Sequence, residues 1–148
     1  MGSLRDCLGE QSVKFFDDVT KEQAVSALCE AVARAVGLEP QRVMSVVMGR
    51  EKLLTTGIGL GIAMPHARMS EADRFALALG ISKRGIEYAS LDNKPVHIIV
   101  LMIGPARSHT EYLQFMARVT MVLRQERFRQ ALLAANTPAE VLRVVEQF

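Results

Sequence analysis

Residues 96–104 read VHIIVLMIG, and this stretch decides the fold class. Its length would also suit a buried segment of helix, but the flanking Pro95 and Gly104 and its many β-branched residues favour a strand. A strand that is apolar along its whole length lies inside a sheet whose two faces are both covered. We therefore expect a central strand in a sheet with helices on each side.

Other segments predict the neighbours of this strand. Short apolar runs predict strands at residues 13–16 and 75–82. Arg84 and Gly85 predict a turn, after which residues 86–89 pair back as a hairpin. Since such a hairpin is antiparallel while helices separate the other strands, the sequence predicts a single α/β domain. Its β-sheet is expected to be mixed parallel and antiparallel, flanked by helices on both faces.

Helix starts are marked by capping residues or by proline, and the first helix stops at a glycine, Gly37. The predicted helices begin after Thr20 (with Gln23 in its capping box), at Pro40, after Ser108 (with Glu111), at residue 126 and after Thr137. A short helical turn is expected at residues 4–8. Helical spacing predicts the following inner face for the helix after Ser108: Leu113, Met116, Val119, Thr120 and Leu123.

The composition fits one domain with an ordinary core. The chain has 148 residues, of which 49% are hydrophobic, and we expect residues 1–148 to form one domain. The net charge is only +2, lysines and arginines are scattered, tryptophan is absent and 5% of residues are aromatic. These features argue against nucleic-acid binding, which depends on clustered cations and stacking side chains.

Neither a membrane segment nor a metal site is expected. No apolar run approaches ~18 residues, and the N-terminus lacks the apolar centre of a signal peptide. Cys7 and Cys29 form no CxxC pair and no metal-ligand spacing. We therefore expect a cytoplasmic protein with two reduced thiols, no metal and no cofactor.

Residues 55–66 read TTGIGLGIAMPH, in which three glycines alternate with apolar residues before Pro65. The GxGxG pattern is close to the dinucleotide-binding fingerprint, which requires a strand before it and a helix after it. A helical pattern precedes this stretch instead, and Pro65 prevents a helix from continuing. A nucleotide loop is therefore disfavoured, and the ordinary alternative is a loop or edge strand where backbones pack closely.

His66 follows this glycine-rich stretch directly. Pro65 restrains the backbone before it, and the glycines allow the main chain to approach closely. A neutral imidazole accepts a phosphoryl group on a ring nitrogen, and the labile P–N bond lets the phosphate be passed on. A lone histidine is more often an ordinary surface residue, so His66 alone leaves both interpretations open.

Three further residues extend the candidate site. The Arg50 guanidinium suits a phosphate, and the Thr56 hydroxyl can orient either the phosphate or the imidazole. His109, at the start of a predicted helix, lies where an anion is favoured. Each also has an ordinary interpretation: a solvated helix-end arginine, a loop hydroxyl and an exposed helix-start histidine. His97, inside the central strand, is predicted to be structural and hydrogen-bonded.

Taken together, these motifs resemble the mannitol/fructose-type enzyme IIA domain of the bacterial phosphotransferase system, a group that includes nitrogen-regulatory IIA proteins. The likeness covers nearly the whole chain and is carried by RE at 50–51, TTGIGLGIAMPHAR at 55–68 and GPARSHTEYLQFMARV at 104–119. It implies a mixed sheet flanked by helices and reversible phosphoryl transfer. It also implies that His66 is the phosphoryl acceptor, that His109 stabilises the phosphate, and that Arg50 and Thr56 bind it.

The resemblance implies partners as well. HPr or a nitrogen-branch HPr homologue would donate the phosphoryl group, and a IIB domain or a regulatory target protein would receive or sense it. Two residues depart from the family pattern: Leu60 stands where many relatives have Asn, and Met64 where Ile or Val is usual. The first departure bears on the loop and on partner choice.

Three hypotheses follow. The chain is a phosphotransferase that passes phosphate towards a sugar, a regulatory module whose partners depend on His66 phosphorylation, or a nucleotide-binding domain. On the expectation that the chain stands alone, without a IIB or IIC segment, the regulatory branch is favoured. Four apolar residues between Thr56 and His66 are expected mostly in the core, with an exposed docking rim as the alternative: Ile58, Leu60, Ile62 and Met64.

Overall fold

Six strands and five α-helices make up the part of the chain that the structure, a computed structural model, describes: residues 3–53 and 55–148. The strands are β1 (Val13–Phe16), β2 (Gly57–Gly59), β3 (Ile62–Ala63), β4 (His66–Met69), β5 (Ala76–Ile86) and β6 (Val96–Pro105). The helices are α1 (Lys21–Val36), α2 (Pro40–Leu53), α3 (His109–Leu123), α4 (Glu126–Ala134) and α5 (Pro138–Glu146), with short 3-10 turns at Arg5–Cys7 and Glu10–Ser12. Within the described ranges, every helix is too short or too polar to cross a membrane.

The predicted central strand is confirmed as β6. The sheet runs in the order β1-β5-β6-β3-β2, with β4 also paired to β6. The β5–β6 pair is antiparallel, whereas β1 lies parallel to β5, and β3 and β4 both lie parallel to β6. The last two keep one register along β6, because Ile62 lies opposite Ile98 and His66 opposite Met102. The predicted mixed sheet is therefore confirmed.

Both faces of the sheet are covered, as the apolar central strand predicts. Along β6, Val100 and Met102 pack into one buried cluster with side chains of α3, α4 and α5. The alternate residues Ile99 and Leu101 pack into a second cluster with α1 and α2. Because successive side chains of a strand point to opposite faces, one continuous apolar run fills both layers.

The predicted helix caps are present. The Thr20 hydroxyl accepts from the Gln23 amide at 3.1 Å, and the Gln23 side chain accepts from the Thr20 amide at 2.9 Å. Gly37 ends α1 in the left-handed conformation, at φ +74°. The Ser108 and Thr137 hydroxyls accept from the Glu111 and Glu140 amides in the same way, without the return bond from the glutamate side chain that a capping box requires. Local capping chemistry thus sets where these helices start.

The predicted turn at Arg84 and Gly85 is wrong. Strand β5 runs straight through these residues as far as Ile86, which pairs with Val96, and the chain reverses only beyond it. The register shifts between Ile81 and Ile86, so the segment is a bulge. Gly85 is required there by its φ of +95° and because a Cβ would lie 2.9 Å from the Pro95 side chain. The glycine marked a bulge and a close approach instead of a turn.

The inner face predicted for α3 is shifted by one residue at its start. Leu113 is 49% exposed, whereas Tyr112 and Phe115 are buried with Val119 and Leu123. Stepping back from Val119 by four and seven residues reaches Phe115 and Tyr112, which is the true helical stripe. The prediction passed over Tyr112, which carries a hydroxyl, and chose its purely apolar neighbour.

The glycine-rich stretch forms an edge hairpin. Strands β2 and β3 are antiparallel, and the two residues between them, Leu60 and Gly61, have φ of +59° and +74°. Two central residues with positive φ define a type I′ turn. Ile62 and Met64 are buried, whereas Ile58 and Leu60 are 44% and 56% exposed. The expectation of core burial therefore holds for the second pair and fails for the hairpin tip.

Replacing Leu60 with asparagine should raise the free energy of unfolding by about 1 kcal/mol. A β-carbon in the left-handed region costs about 1–2 kcal/mol, and asparagine tolerates this region best after glycine. Urea unfolding of the two proteins measures the difference. As a control, Ile58→Asn removes a similarly exposed side chain from a residue without positive φ and should give no gain. A Leu60→Asn protein no more stable than the parent would contradict the prediction.

Candidate functional site

His66 is placed by the join between β3 and β4. The Pro65 carbonyl accepts a hydrogen bond from the Met102 amide at 3.0 Å, so the chain stays bonded to β6 across the proline. The half-buried His66 ring has its Nδ1 2.7 Å from the Met64 carbonyl oxygen. Because a carbonyl can only accept, Nδ1 carries the proton, and the neutral imidazole keeps a lone pair on Nε2. That lone pair makes Nε2 the ring nitrogen able to act as a nucleophile.

The surroundings of His66 lower its pKa below the usual value of 6.5. Burial is the main cause, because it disfavours the imidazolium, and the nearby Arg50 charge acts in the same direction. The bond to Met64 and the charge of Glu51 act the other way without cancelling the effect of burial. At neutral pH, His66 is therefore neutral and able to act as a nucleophile.

This pKa predicts how stability depends on pH. Below pH 6.5 the unfolded chain gains a proton that folded His66 resists, so the free energy of unfolding should fall as the pH drops below 6.5. Above that pH, His66 should contribute nothing. Titration of the ring by NMR gives the pKa, and urea unfolding of the parent and His66→Gln proteins isolates the contribution of His66. A measured His66 pKa at or above 6.5 would show that the prediction is wrong.

Two residues of β4 face two residues of α3. His66 and Arg68 are two apart and share one side of the strand, while His109 and Tyr112 are three apart on the first turn of the helix. The His66 and Tyr112 rings have centroids 6.4 Å apart, and the Arg68 guanidinium lies 2.7 Å from Nδ1 of His109. Arg68 also lies over the Tyr112 ring at 5.8 Å. We call these four residues the strand–helix quartet.

His109 belongs to the quartet because it contacts Arg68. A guanidinium only donates, so Nδ1 of His109 accepts and the ring proton lies on Nε2. His109 is exposed and is the first residue of α3, directly after its cap Ser108. It therefore offers an N–H donor at a helix N-terminus, an arrangement suited to an anion.

Arg50 lies near the end of α2 and is exposed. Its charge acts to lower the pKa of both His66 and Tyr112. Arg68 connects His109 with this region, because it contacts the His109 ring and lies over the Tyr112 ring, which is beside His66. Guanidinium and imidazole donors of this kind suit a phosphoryl group.

Thr56 lies in a buried cluster of its own, which we call the Glu51 cluster (Lys21, Glu51, Thr56 and Tyr88). The Thr56 hydroxyl contacts Oε1 of Glu51 and lies 3.0 Å from the Tyr88 hydroxyl. The Thr56 amide and the Tyr88 hydroxyl donate to the same Oε1 at 3.1 and 3.0 Å, and Lys21 Nζ lies 2.8 Å from Oε2. The hydroxyl is thus engaged with Glu51, and its role towards a phosphate stays a prediction.

The remaining histidine is structural, as predicted. His97 lies half-buried in β6, and its Nδ1 is 2.9 Å from the Ser82 carbonyl oxygen of β5. The Cys29 thiol is buried, which raises its pKa to about 12 and keeps it protonated and unreactive. Among the described residues, His, Cys, Asp and Glu side chains form no group of three that could hold a metal.

Sequence reasoning missed two members of the quartet and the centre of the buried cluster. Arg68 was not among the predicted site residues, although its H-x-R spacing from His66 places both on one side of a strand. Tyr112 lies three residues after His109, which is the helical signal for one face. Glu51 carries no signal beyond its place in the RE pair, because its partners come from distant parts of the chain.

The comparisons with known proteins agree on one family. The family model described as "Phosphoenolpyruvate-dependent sugar phosphotransferase system, EIIA 2" matches residues 7–148. A curated relative, the PTS system fructose-specific EIIABC component of Bacillus subtilis, is 27% identical over 146 residues. That alignment covers 97% of this chain and 23% of the relative, so the chain spans about a quarter of that protein.

Solved structures share the fold. The nitrogen regulatory protein IIA-Ntr from Neisseria meningitidis superposes with a TM-score of 0.88 at 22% identity, covering 96% of this chain and 98% of the other. IIA mannitol from Escherichia coli, solved as a complex with phosphorylated IIB mannitol, superposes with a TM-score of 0.77 at 21% identity, covering 95% and 98%. The α/β architecture with a mixed sheet is therefore shared with IIA proteins of both kinds.

Proposed function

We propose, from the premise that this chain belongs to the EIIA 2 family of the phosphoenolpyruvate-dependent sugar phosphotransferase system, that it carries a phosphoryl group on Nε2 of His66. The observation that carries this proposal is the 2.7 Å contact between His66 Nδ1 and the Met64 carbonyl. It assigns the proton to Nδ1 and the lone pair to Nε2. Residues 1–148 are proposed to form one EIIA domain.

The transfer step follows from that tautomer. The Nε2 lone pair attacks the phosphorus of a phosphohistidine on the donor, and a new P–N bond forms as the old one breaks. The bonding pair returns to the nitrogen of the donor. The Nδ1 proton stays on His66, where the Met64 carbonyl stabilises the positive charge of the phosphorylated ring. The P–N bond to this positively charged ring stays labile, so the phosphoryl group can be passed on.

The phosphoryl oxygens need donors, and the site offers them. Arg50 and the Nε2–H of His109 are proposed to bind the oxygens, while Arg68 holds His109 in the donating tautomer. Thr56 is proposed to contribute to the phosphate site through its place at the start of the hairpin, because its hydroxyl bonds Glu51. Stabilising the charge of the phosphoryl group is the main contribution that a protein makes to phosphoryl transfer.

The proposed donor is HPr or a nitrogen-branch HPr homologue, and the proposed acceptor is a IIB domain. The solved complex of IIA mannitol with phosphorylated IIB mannitol supports such an acceptor for this fold. The exposed side chains of Ile58 and Leu60 at the hairpin tip suit a brief contact with a carrier protein. In the regulatory alternative, the same phosphoryl chemistry is sensed by a target protein and never reaches a sugar.

Phosphorylation tests the proposal directly. The protein is incubated with phosphoenolpyruvate, enzyme I and HPr, and intact mass is read at mildly basic pH. One acid-labile phosphoryl group per chain is expected, and its discharge by added IIB domains would identify the carrier role. A phosphoryl group that no IIB domain removes would identify the regulatory role. No phosphate from HPr or from its nitrogen-branch homologue would overturn the proposal.

A further inference from the structure

The hydroxyl of Tyr112 is buried without a hydrogen-bond partner among the residues that the structure describes. The residue as a whole is only 4% exposed. The other buried tyrosine, Tyr88, differs because its hydroxyl donates to Glu51 at 3.0 Å. Buried hydroxyls in natural proteins almost always have a partner, since leaving one unpaired is costly. The missing partner of Tyr112 therefore calls for an explanation at this place in the fold.

The position of Tyr112 supplies that explanation. Its ring lies beside His66, and the Arg68 guanidinium lies over it. The charges of Arg50 and Arg68 both act to lower its pKa, and the Arg68 guanidinium is the cation that contacts the ring. Burial outweighs those charges and raises the pKa of Tyr112 to about 12. The hydroxyl thus keeps its proton at neutral pH and is able to donate it in a hydrogen bond.

We infer that the Tyr112 hydroxyl donates a hydrogen bond to an oxygen of the phosphoryl group on His66, which supplies the partner that the hydroxyl lacks in the unphosphorylated protein. The inference rests on the proposed function and adds Tyr112 to the residues that contact the phosphoryl group. His109 and Tyr112, three residues apart on α3, then bind the group from one helix face. Arg68 holds both side chains in place.

This role has a signature that a structural tyrosine would not have. Removing the hydroxyl with Tyr112→Phe takes away an unpaired polar group, so the unphosphorylated protein should be as stable as the parent or more stable. The phosphorylated protein loses a bond to a charged acceptor. The equilibrium for accepting phosphate from HPr should therefore fall about tenfold. The two effects have opposite signs.

The test uses the full chain in three forms: parent, Tyr112→Phe and Tyr88→Phe. Each is phosphorylated with phosphoramidate, in which attack by Nε2 on phosphorus releases ammonia, so this step does not depend on HPr. Mass spectrometry against a His66→Gln protein assigns the modified residue. Urea midpoints of the phosphorylated and unphosphorylated forms are compared, and the equilibrium constant for phosphoryl exchange with HPr is measured. Tyr88→Phe is the matched control, because it breaks a satisfied hydrogen bond.

The expected result is that phosphorylation raises the urea midpoint less in Tyr112→Phe than in the parent, with the unphosphorylated midpoint equal or higher. Tyr88→Phe should lower the unphosphorylated midpoint and leave the exchange equilibrium within about threefold. The inference is overturned if Tyr112→Phe destabilises the unphosphorylated form and leaves the exchange constant unchanged. A parent that phosphoramidate modifies on His66 but HPr does not would contradict the proposed function alone, and the midpoint comparison would still decide on Tyr112.

Discussion

Replacing His66 with glutamine will abolish the acid-labile phosphorylation by HPr that we propose for this chain. Glutamine has no nucleophilic ring nitrogen, so no P–N bond can form at this position. Its side-chain amide is still able to donate to the Met64 carbonyl, which the imidazole Nδ1 now bonds at 2.7 Å. The fold around β4 should therefore survive the change. Intact mass after incubation with phosphoenolpyruvate, enzyme I and HPr measures the loss.

The matched control for this experiment is His97→Gln. His97 is also half-buried and also bonds a backbone carbonyl, that of Ser82, but it lies outside the proposed site. It should accept phosphate as the parent does. The proposal is contradicted if the His66→Gln protein is fully phosphorylated, or if only the His97→Gln protein loses phosphorylation. Either result would show that a residue other than His66 accepts the phosphoryl group.

Replacing Glu51 with alanine should lower the free energy of unfolding by about 3–5 kcal/mol, the usual cost of breaking a buried ion pair from one side. The carboxylate is 7% exposed and binds the Lys21 ammonium together with the Thr56 amide and the Tyr88 hydroxyl. Its loss removes the acceptor of the buried Thr56 amide and the partner of the Lys21 ammonium. Urea unfolding monitored by circular dichroism measures the difference.

An exposed ion pair provides the comparison for Glu51. The Glu30 carboxylate bonds Arg34 at 2.6 Å one turn along α1, with both side chains at least half exposed. Glu30→Ala should therefore change the free energy of unfolding by about 0.5 kcal/mol or less. A loss from Glu51→Ala as small as that from Glu30→Ala would show that the Glu51 cluster contributes little to stability.

Much of the fold could be predicted because its signals are local. The central strand is apolar on both faces, and Thr20 and Ser108 cap their helices with side chains only three residues from the amides they accept from. The mixed sheet then follows from helices that separate some strands and not others. Such features depend on neighbours in the sequence, which a single chain displays.

The errors arose where the role of a residue depends on contacts with distant parts of the chain. Gly85 marked a bulge because the Pro95 side chain approaches it, which no local pattern reveals. In the site, His66 and His109 stood out as residue types, but the Arg68–His109 contact joins residues 41 positions apart. The role of Thr56 towards the phosphate stays a prediction, and the engagement of its hydroxyl by Glu51 was not foreseen. Tertiary packing decides which hydroxyl finds a hydrogen-bond partner and which, like that of Tyr112, does not.

The outer strands of the sheet also bear on aggregation. In the part of the chain that the structure describes, β4 pairs only with β6, and both β4 and β1 are four residues long. Unpaired edges act as templates for fibrils when they are long, flat and apolar. Here Pro65, which has no amide hydrogen, stands just before β4, and the exposed charge of Arg68 lies within it. The strand that holds His66 is therefore also a poor template for fibrils.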